Sequence, residues 1–361
     1  MIELALAFQD KDGHYAEHAA VVLASVFHNT SSPINVHILH DETLNEDNKQ
    51  KLVELTSRYS QTINFYPITI PDDMLQVMES VSSINVWTPA CMYRLLIPAL
   101  IPVDKIIYLD CDVLVNMDIV ELWQIELDNY YLGAIWDQGI MGVAQIISSK
   151  GLNPDLYFNS GVILFSLNNI RRNLGWYEET LHFLRNFPDT TMPDQDTLNA
   201  VFGGNYLPLD LRFNLFNTAT PDHDFTNKIV HFAGAEKFWD QDSPGAELYQ
   251  KYLSLTPWGE NDPETPVEAT PFVAKKSAKH KNNRPSYSGL KRKQRKVTQE
   301  KMRFKESSKL RMKDKRTNIV WISISSLKFI RQTEQIRSTK TLVIRKKRLN
   351  SIPYLPVNKG I

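Results

Sequence analysis

One stretch of the sequence, Lys105-Ile-Ile-Tyr-Leu-Asp-Cys-Asp-Val-Leu-Val115, predicts a buried strand that carries two carboxylates. Side chains two residues apart in an extended chain point to the same face, so we expect Asp110 and Asp112 to converge. Paired carboxylates suit Mn²⁺ or Mg²⁺, ions that commonly share their remaining coordination positions with substrate phosphates. Acidic residues also end strands without any such role, so the pattern needs support from the rest of the chain.

The chain consists of an acidic body and a basic tail. Residues 1–260 carry 14 Lys and Arg against 34 Asp and Glu, and residues 261–361 carry 27 against 7, so a net charge of zero is the sum of two opposite charges. Cys91 and Cys111 show no spacing typical of a zinc site or a disulfide framework, which fits a reducing cytosol. The sequence shows neither a signal peptide nor an apolar run of about 18 residues, so we expect a cytoplasmic protein.

Strand-like and helix-like segments alternate through the first hundred residues. This alternation predicts a parallel α/β sheet with helices on both faces, and ligands of such sheets bind beyond the carboxyl ends of the strands. The loop after the first strand and the Asp110/Asp112 pair both fall at that edge, so we expect them to face one pocket. The predicted segments are strands at 2–8, 34–39, 63–68, 131–137 and 161–166 and helices at 15–27, 41–55 and 176–184.

The composition also predicts three regions along the chain. The α/β body covers 1–258, and a Pro-containing linker of extended backbone covers 259–274. The basic tail, 275–361, contains few core-forming residues in its first part and is expected to be poorly ordered. Its charge allows peripheral contact with an anionic membrane, nucleic-acid binding or simple solvation, and the absence of a recognisable module disfavours nucleic acid.

Six short blocks follow one another in the body. They are the N-terminal strand with Asp12 and Tyr15, Tyr93-Arg94, Asp110-x-Asp112, Phe158-Asn-Ser-Gly-Val162, Asp194-Gln-Asp196 and His231-Phe-Ala-Gly-Ala-Glu-Lys-Phe-Trp239. In this order they resemble the glycosyltransferase family 8 enzymes, retaining transferases that include bacterial lipopolysaccharide galactosyl- and glucosyltransferases and glycogenin. The resemblance covers about residues 1–258 and implies a GT-A type α/β fold, a mixed sheet with flanking helices, followed by the basic extension.

The resemblance implies a binding site for the nucleotide near the first strand. Asp12 and Tyr15 match the positions that hold and stack the uracil of a UDP-sugar, and a phenol face over a pyrimidine is favourable. A short insertion in this loop leaves open whether Asp10 takes the role of Asp12. Ala7 and Phe8 would offer backbone groups to the base.

The resemblance also implies a metal and diphosphate site. Asp110 and Asp112 would bind the metal with His231 as the third protein ligand, a set that favours Mn²⁺, with Mg²⁺ as the alternative. Gly234 would let the backbone approach the diphosphate, and Lys237 would supply a positive charge for it. A lone histidine beside an apolar strand is otherwise more often a core residue.

The remaining blocks fall near the expected sugar. Arg94 and Asn159 match positions that contact the donor, and Asp137 matches a position that faces the acceptor. Gln195 would lie beneath the anomeric carbon, with Asp194 holding donor hydroxyls and Asp196 as the candidate nucleophile of a double displacement; these three are the predicted catalytic residues. We favour attack on the front face, because the family lacks the carboxylate pair of retaining glycosidases.

The sequence therefore predicts a Mn²⁺-dependent transfer of galactose or glucose from a UDP-sugar to a glycan or lipid-linked acceptor in bacterial cell-surface polysaccharide synthesis. We expect this activity in the cytoplasm or at the inner face of the membrane. The main alternative is a non-catalytic nucleotide-sugar-binding protein, and self-glucosylation is a further one. A metal-dependent nuclease is disfavoured by the acidic body, so we expect no nucleic-acid partner.

Overall fold

A computed structural model of the chain describes residues 1–219 and 223–259. The basic tail and all but the first residue of the predicted linker lie outside the described residues, so those boundaries stay predictions. The described strands are β1 (Ile2–Phe8), β2 (Ile34–His40), β3 (Thr62–Pro67), β4 (Lys105–Leu109), β5 (Val113–Asn116), β6 (Leu132–Trp136), β7 (Phe158–Ser166), β8 (Tyr206–Pro208), β9 (Leu215–Phe216) and β10 (Lys228–His231).

Helices fill most of the segments between these strands. The α-helices are α1 (Tyr15–Asn29), α2 (Glu46–Arg58), α3 (Asp72–Met78), α4 (Ile84–Trp87), α5 (Ile97–Leu100), α6 (Val120–Trp123), α7 (Ala144–Ser149), α8 (Leu167–Arg172), α9 (Trp176–Asn186), α10 (Pro193–Phe202) and α11 (Ala246–Leu253). Short 3-10 helices cover Pro89–Leu96, Ile140–Val143, Pro154–Leu156, Leu211–Phe213 and Asn217–Ala219.

The strands form two sheets. The larger has the order β3-β2-β1-β4-β7-β6-β8, and the smaller has the order β5-β10-β9. The first four strands of the larger sheet are parallel, whereas β7 runs antiparallel to both β4 and β6. The carboxyl ends of β1 and β4 therefore share one edge with the amino end of β7, and this edge carries the functional site.

The larger sheet lies between two apolar clusters. Along β1, Leu4 and Leu6 pack with residues of α1, α2 and α11, whereas the intervening Ala5 packs with residues of α3, α9 and α10. Neighbouring residues of a strand face opposite sides, so the two clusters cover opposite faces of the sheet. Burial on both faces explains why β1 and β4 are almost uninterrupted apolar runs.

Two sequence expectations need correction. The predicted strand 105–115 is two strands in different sheets, β4 and β5, with Asp110 and Asp112 in the turn between them. The helix predicted from Asp41 begins at Glu46, because the Asn45 side chain caps it by accepting a hydrogen bond from the Asn48 amide. The sheet is mixed, as the family resemblance implied, and its four parallel strands β1 to β4 are those for which the strand-helix alternation predicted parallel pairing.

Among the described residues, no helix is both long and apolar enough to cross a lipid bilayer.

Candidate active site

A cleft of about 580 Å³ opens at the edge of the larger sheet where β1 and β4 end. All but two of the predicted site residues line this cleft, and the exceptions are Asp196 and Gly234. The lining residues come from segments that lie far apart in the sequence, from Ala7 to Lys237. The fold thus collects the blocks into one site, although the role of each residue stays a prediction.

The two aspartates and the histidine form one group of candidate ligands for a metal ion, here called the metal cluster. Asp110, Asp112 and His231 each bring a potential ligand atom, and these atoms lie within 4.8 Å of one another. The antiparallel pairing of β10 with β5 places His231 opposite Val113, directly after Asp112. The turn between β4 and β5, rather than the alternation of one strand, makes the two carboxylates converge.

The cluster fits a divalent cation. The Oδ1 atom of Asp112 is buried and accepts no hydrogen bond, a costly arrangement unless a positive group neutralises it. Two carboxylates and an imidazole suit Mn²⁺ better than Mg²⁺, which prefers oxygen ligands alone. Asp110, Asp112 and His231 are therefore the described residues that would hold such an ion.

A glycine lets the cluster close. A Cβ atom built on Gly161 of β7 would lie 2.2 Å from His231 Cε1 and 2.9 Å from Asp110 Oδ2, so any larger residue would collide with both side chains. Gly161 also accepts the backbone hydrogen bond of Asp110 at 2.8 Å. The glycine of the Phe158–Val162 block is therefore needed because a side chain there would occupy the space of the metal cluster.

Lys237 adds a positive charge beside the metal cluster. Its Nζ atom lies 2.7 Å from Asp112 Oδ2 and donates to the Phe232 carbonyl at 2.7 Å. Burial disfavours the charged form of Asp112, but the neighbouring His231 and Lys237 outweigh that effect and hold the pKa of Asp112 well below its usual range. A Cβ on Gly234 would meet no atom within 4 Å, so the loop before Lys237 leaves free space there.

Arg94 joins the metal cluster to the Asp194 carboxylate. Its guanidinium lies 2.7 Å from Asp110 Oδ1 and 3.3 Å from Asp194 Oδ2, and it donates to the Ser160 carbonyl at 3.0 Å. Burial raises the pKa of Asp194 above its ordinary value, and the nearby Arg94 opposes that shift. Arg94 is itself buried, and its guanidinium carbon lies over the Tyr108 ring, 4.6 Å from the ring centroid, so it is a fixed part of the cleft rather than a surface cation.

Gln195 is held in a network of hydrogen bonds. Its Oε1 accepts from Asn159 Nδ2 at 3.0 Å and from the Ser160 amide at 2.9 Å, and its Nε2 donates to Asp137 Oδ2 at 3.0 Å. Asn159 Nδ2 also donates to Asp137 Oδ2 at 3.1 Å. Both ends of the Gln195 amide are therefore oriented before any ligand binds.

Asp196 follows Gln195 directly but does not line the cleft. It is fully buried, accepts hydrogen bonds from Tyr157 and Thr190, and lies 3.6 Å from Lys150 Nζ. Successive residues of a helix point about 100° apart, so α10 directs Gln195 to the cleft and Asp196 into the protein. A direct attack by Asp196 would require this buried group to reach the cleft.

The expected nucleotide end of the cleft contains Ala7, Asp12 and Tyr15, and 37% of the Tyr15 surface is exposed. Asp10, the alternative to Asp12, is buried, and its Oδ1 accepts the Ala16 amide at 3.0 Å at the start of α1. Asp10 is thus committed to holding the loop, and Asp12 is the aspartate of this pair that lines the cleft.

Sequence reasoning missed two groups of residues. Val86 and Trp87 of α4 and Met192 line the cleft with apolar surface, yet no periodicity in the sequence sets them apart. Trp87 is 49% exposed, and its indole nitrogen donates to the Thr191 carbonyl at 2.5 Å. Asn214, which contacts His231, gives no sequence signal because its partners are distant along the chain.

Comparisons with known proteins agree with this fold and site. The general stress protein A of Bacillus subtilis is 30% identical over 274 residues, 68% of this chain and 92% of that protein. The lipopolysaccharide 1,2-glucosyltransferase of Escherichia coli K12 is 27% identical over 290 residues, 74% of this chain and 82% of that protein. The crystal structure of the galactosyltransferase LgtC with donor and acceptor sugar analogues matches with a TM-score of 0.61 and 25% identity, over 73% of this chain and 98% of that one.

The fold and the site together define a glycosyltransferase with a GT-A type α/β domain. The sequence profile of Glycosyl transferase family 8 matches residues 7–243, and the chain belongs to that family. The predicted family, fold and class of enzyme are thereby confirmed.

Proposed function

We propose that this protein is a retaining hexosyltransferase that moves galactose or glucose from a UDP-sugar to a glycan or lipid-linked acceptor in bacterial cell-surface polysaccharide synthesis. One observation carries the proposal. The metal cluster and Lys237 lie in the same cleft as Tyr15 and Gln195. This arrangement offers a stacking surface for a base, positive charge for a diphosphate and a polar floor for a sugar.

Departure of UDP is the step that the charged residues assist. Asp110, Asp112 and His231 would hold Mn²⁺, which, when bound, stabilises the charge that develops on the leaving diphosphate. Lys237 is placed 2.7 Å from Asp112 and can transfer its hydrogen bond to a phosphate oxygen. A diphosphate stabilised in this way leaves without taking up a proton, so the reaction needs no general acid on the leaving group.

The oriented Gln195 amide supports attack on the front face. Its hydrogen bonds to Asn159, Ser160 and Asp137 fix its orientation at the cleft. A dipole that is already oriented stabilises the charge of a transition state better than a mobile one. No pair of carboxylates with the spacing of retaining glycosidases is needed in such a mechanism. In this proposal Asp194 and Arg94 hold the donor hydroxyls, and Asp196 positions the helix without bonding to the sugar.

Mass spectrometry of peptides from the protein tests this mechanism. The protein is incubated with each UDP-sugar and no acceptor, then quenched and digested. We expect no glycosyl adduct on Asp196. An adduct on Asp196 would replace front-face attack by double displacement, and an adduct on a tyrosine or serine would indicate self-glycosylation instead.

The acceptor is proposed to enter along Asp137 and the apolar residues Val86 and Trp87. Asp137 Oδ1 accepts the Gly139 amide at 2.9 Å, and its Oδ2 accepts from Asn159 and Gln195, so its position relative to Gln195 is fixed. An exposed indole and a fixed carboxylate that line the same cleft suit a sugar ring, which has apolar faces and polar edges. This supports a glycan or the sugar of a lipid-linked glycan as the acceptor.

Release of UDP from a panel of UDP-sugars, with Mn²⁺, Mg²⁺ or EDTA, tests the proposed function. We expect metal-dependent turnover of one donor, galactose or glucose, and its loss in Asp112→Ala. Mn²⁺ should support faster turnover than Mg²⁺. Binding of UDP without turnover of any donor or acceptor would contradict the proposal and favour a non-catalytic nucleotide-sugar-binding protein.

We also propose that the body, 1–258, carries the activity and that the basic tail attaches it to anionic membrane. The support is the excess of positive charge in residues 261–361, 27 Lys and Arg against 7 Asp and Glu. Each basic residue near such a surface contributes about 1 kcal/mol. The full chain should cosediment with phosphatidylserine vesicles at low salt and not at high salt, and cosedimentation with neutral vesicles would contradict an electrostatic attachment.

A further inference from the structure

Asn214 lies behind the metal cluster, outside the cleft lining. It is fully buried and directly precedes β9, which pairs with β10 so that Phe216 lies opposite His231. Its Oδ1 lies 3.0 Å from His231 Nδ1, and its Nδ2 donates to Asn159 Oδ1 at 2.8 Å. Gln138 Nε2 donates to the Asn214 carbonyl at 2.9 Å. Asn214 therefore joins His231 to the Gln195 network.

The direction of each hydrogen bond in this chain can be settled from groups whose role is unambiguous. The Gly161 backbone amide can only donate, and it donates to Asn159 Oδ1 at 2.9 Å. The Asp137 carboxylate accepts from Asn159 Nδ2. Asn159 thus turns its oxygen toward Asn214, so Asn214 must present its NH₂ group there and its oxygen to His231.

The tautomer of His231 follows from these directions. Its Nδ1 carries the proton that Asn214 accepts, so the neutral ring has its lone pair on Nε2. That nitrogen lies 3.2 Å from Asp112 Oδ1 and 4.0 Å from Asp110 Oδ2. A bare lone pair that faces two carboxylate oxygens is unfavourable, so either a proton on Nε2 or a metal ion has to lie between that nitrogen and the carboxylates.

We propose that Asn214 is a positioning residue that fixes the tautomer and ring orientation of His231 for metal binding. The inference rests on the proposed role of His231 as a metal ligand and extends it by naming the group that prepares that ligand. Because Asn159 forms hydrogen bonds with both Asn214 and Gln195, one series of hydrogen bonds connects the proposed metal ligand His231 with the proposed sugar site. Removal of such a supporting hydrogen bond typically lowers metal affinity about 10- to 100-fold.

The test measures metal binding rather than activity. Mn²⁺ is titrated into the full-length protein, with and without UDP, and free Mn²⁺ is measured by its electron paramagnetic resonance signal. Asn214→Leu, which keeps the approximate volume and removes both side-chain bonds, should weaken Mn²⁺ binding about 10- to 100-fold. Asn214→Asp keeps an acceptor for His231 Nδ1 and should retain more affinity than Asn214→Leu.

Two controls separate positioning from general damage. Asn29 makes three hydrogen bonds between α1, β5 and α11, away from the cleft, so Asn29→Leu should lower stability without changing Mn²⁺ affinity. In a His231→Ala background, Asn214→Leu should have no further effect on Mn²⁺ affinity, because the imidazole that Asn214 positions is absent.

The outcomes distinguish this inference from the proposed function. Unchanged Mn²⁺ affinity in Asn214→Leu, or an equal loss in the His231→Ala background, would overturn the positioning role and leave the metal site intact. If the parent protein binds no Mn²⁺ even with UDP, the metal assignment fails and the inference fails with it. If Asn214→Leu does not fold, comparison of Asn214→Asp with the parent protein decides the matter, since a loss of 10-fold or more in that variant would contradict the role of the acceptor oxygen.

Discussion

Two regions of the cleft are built in different ways. The charged cluster, which consists of Arg94, Asp110, Asp112, His231 and Lys237, is joined by ion pairs and hydrogen bonds among its own members. The apolar rim, which consists of Val86, Trp87 and Met192, lines the same cleft. Val86 is 75% exposed and Trp87 is 49% exposed, so the rim leaves much apolar surface uncovered.

This difference indicates a division of tasks. A cross-bonded cluster holds charges in place while a bond breaks, which is the condition under which electrostatic stabilisation lowers a barrier. An exposed apolar surface instead favours ligand binding, because covering it removes apolar area from water whatever happens later in the reaction. Substitutions in the charged cluster should therefore lower kcat, whereas substitutions in the apolar rim should raise KM for the acceptor.

The largest effect is expected from Asp112→Asn. The variant keeps the shape of the side chain but loses the charge that would hold the metal beside Lys237, so kcat/KM should fall about 1,000-fold, or about 4 kcal/mol. Steady-state UDP release measures the effect, and Asp155→Asn, which changes an exposed carboxylate near β7, should leave it unchanged. Retention of more than a tenth of the activity would show that the cluster is not the metal site.

A smaller loss is expected from Lys237→Met. A hydrogen bond to a charged group contributes about 1.5 to 3 kcal/mol, so loss of the contact with a leaving diphosphate should lower kcat about 10- to 100-fold. Lys228→Met is the matched control, because Lys228 forms an exposed ion pair with Asp224 four residues away. A rise in the KM for the donor with kcat unchanged would mean that Lys237 contributes to binding alone.

Trp87→Ala tests the apolar rim. Loss of the indole surface should raise the KM for the acceptor about 10-fold, corresponding to about 1.4 kcal/mol of lost contact, with little change in UDP release when acceptor is absent. Leu174→Ala, at a residue that is 93% exposed and lies outside the cleft lining, should change neither quantity. If Trp87→Ala lowered acceptor-free UDP release as much as transfer, the division between the two regions would fail.

Most strands and helices were predictable because local apolar patterns in the sequence indicate their positions. β1 and β2 and the helix α1 match their predicted segments within two residues at each end. Periodicity failed at 105–115, where one apolar run contains two strands of different sheets, because burial alone does not reveal a turn. The antiparallel β7 also has no local signal, since its direction depends on which neighbours it pairs with.

The candidate site was predictable only where a motif named its residues. Asp110, Asp112 and His231 come together as the family resemblance implied. Asn214 and Trp87 were missed, because a buried asparagine is recognised only by the partners that folding brings to it. The same limit applies to Gln195 and Asp196, which are neighbours in the sequence and lie in different surroundings in the structure.

The smallest predicted effect concerns His18, whose ring contacts Tyr15. The His18 ring stacks on Trp239 with 3.9 Å between ring centroids, and its Nδ1 lies 3.0 Å from Tyr249 Oη. Burial lowers the pKa of His18 from 6.5 to about 4, although Asp12 and Asp240 favour the charged form. The folded protein therefore prefers the neutral ring.

The sign of the pH effect follows from this preference. Between about pH 6.5 and about pH 4, His18 is protonated in the unfolded chain and neutral in the folded protein. The folded state therefore loses stability as the pH falls from about 6.5 to about 4. His18→Phe keeps a stacked ring and removes the proton site, so its Tm should fall less than that of the parent protein between about pH 7 and about pH 5. His182→Gln, at an exposed histidine of α9, should leave the pH dependence unchanged. Parallel curves for His18→Phe and the parent protein would show that the stack tolerates a charged ring. The acid sensitivity would then have to come from other groups, such as His28 and His40, whose pKa burial also lowers, or the carboxylates of the charged cluster.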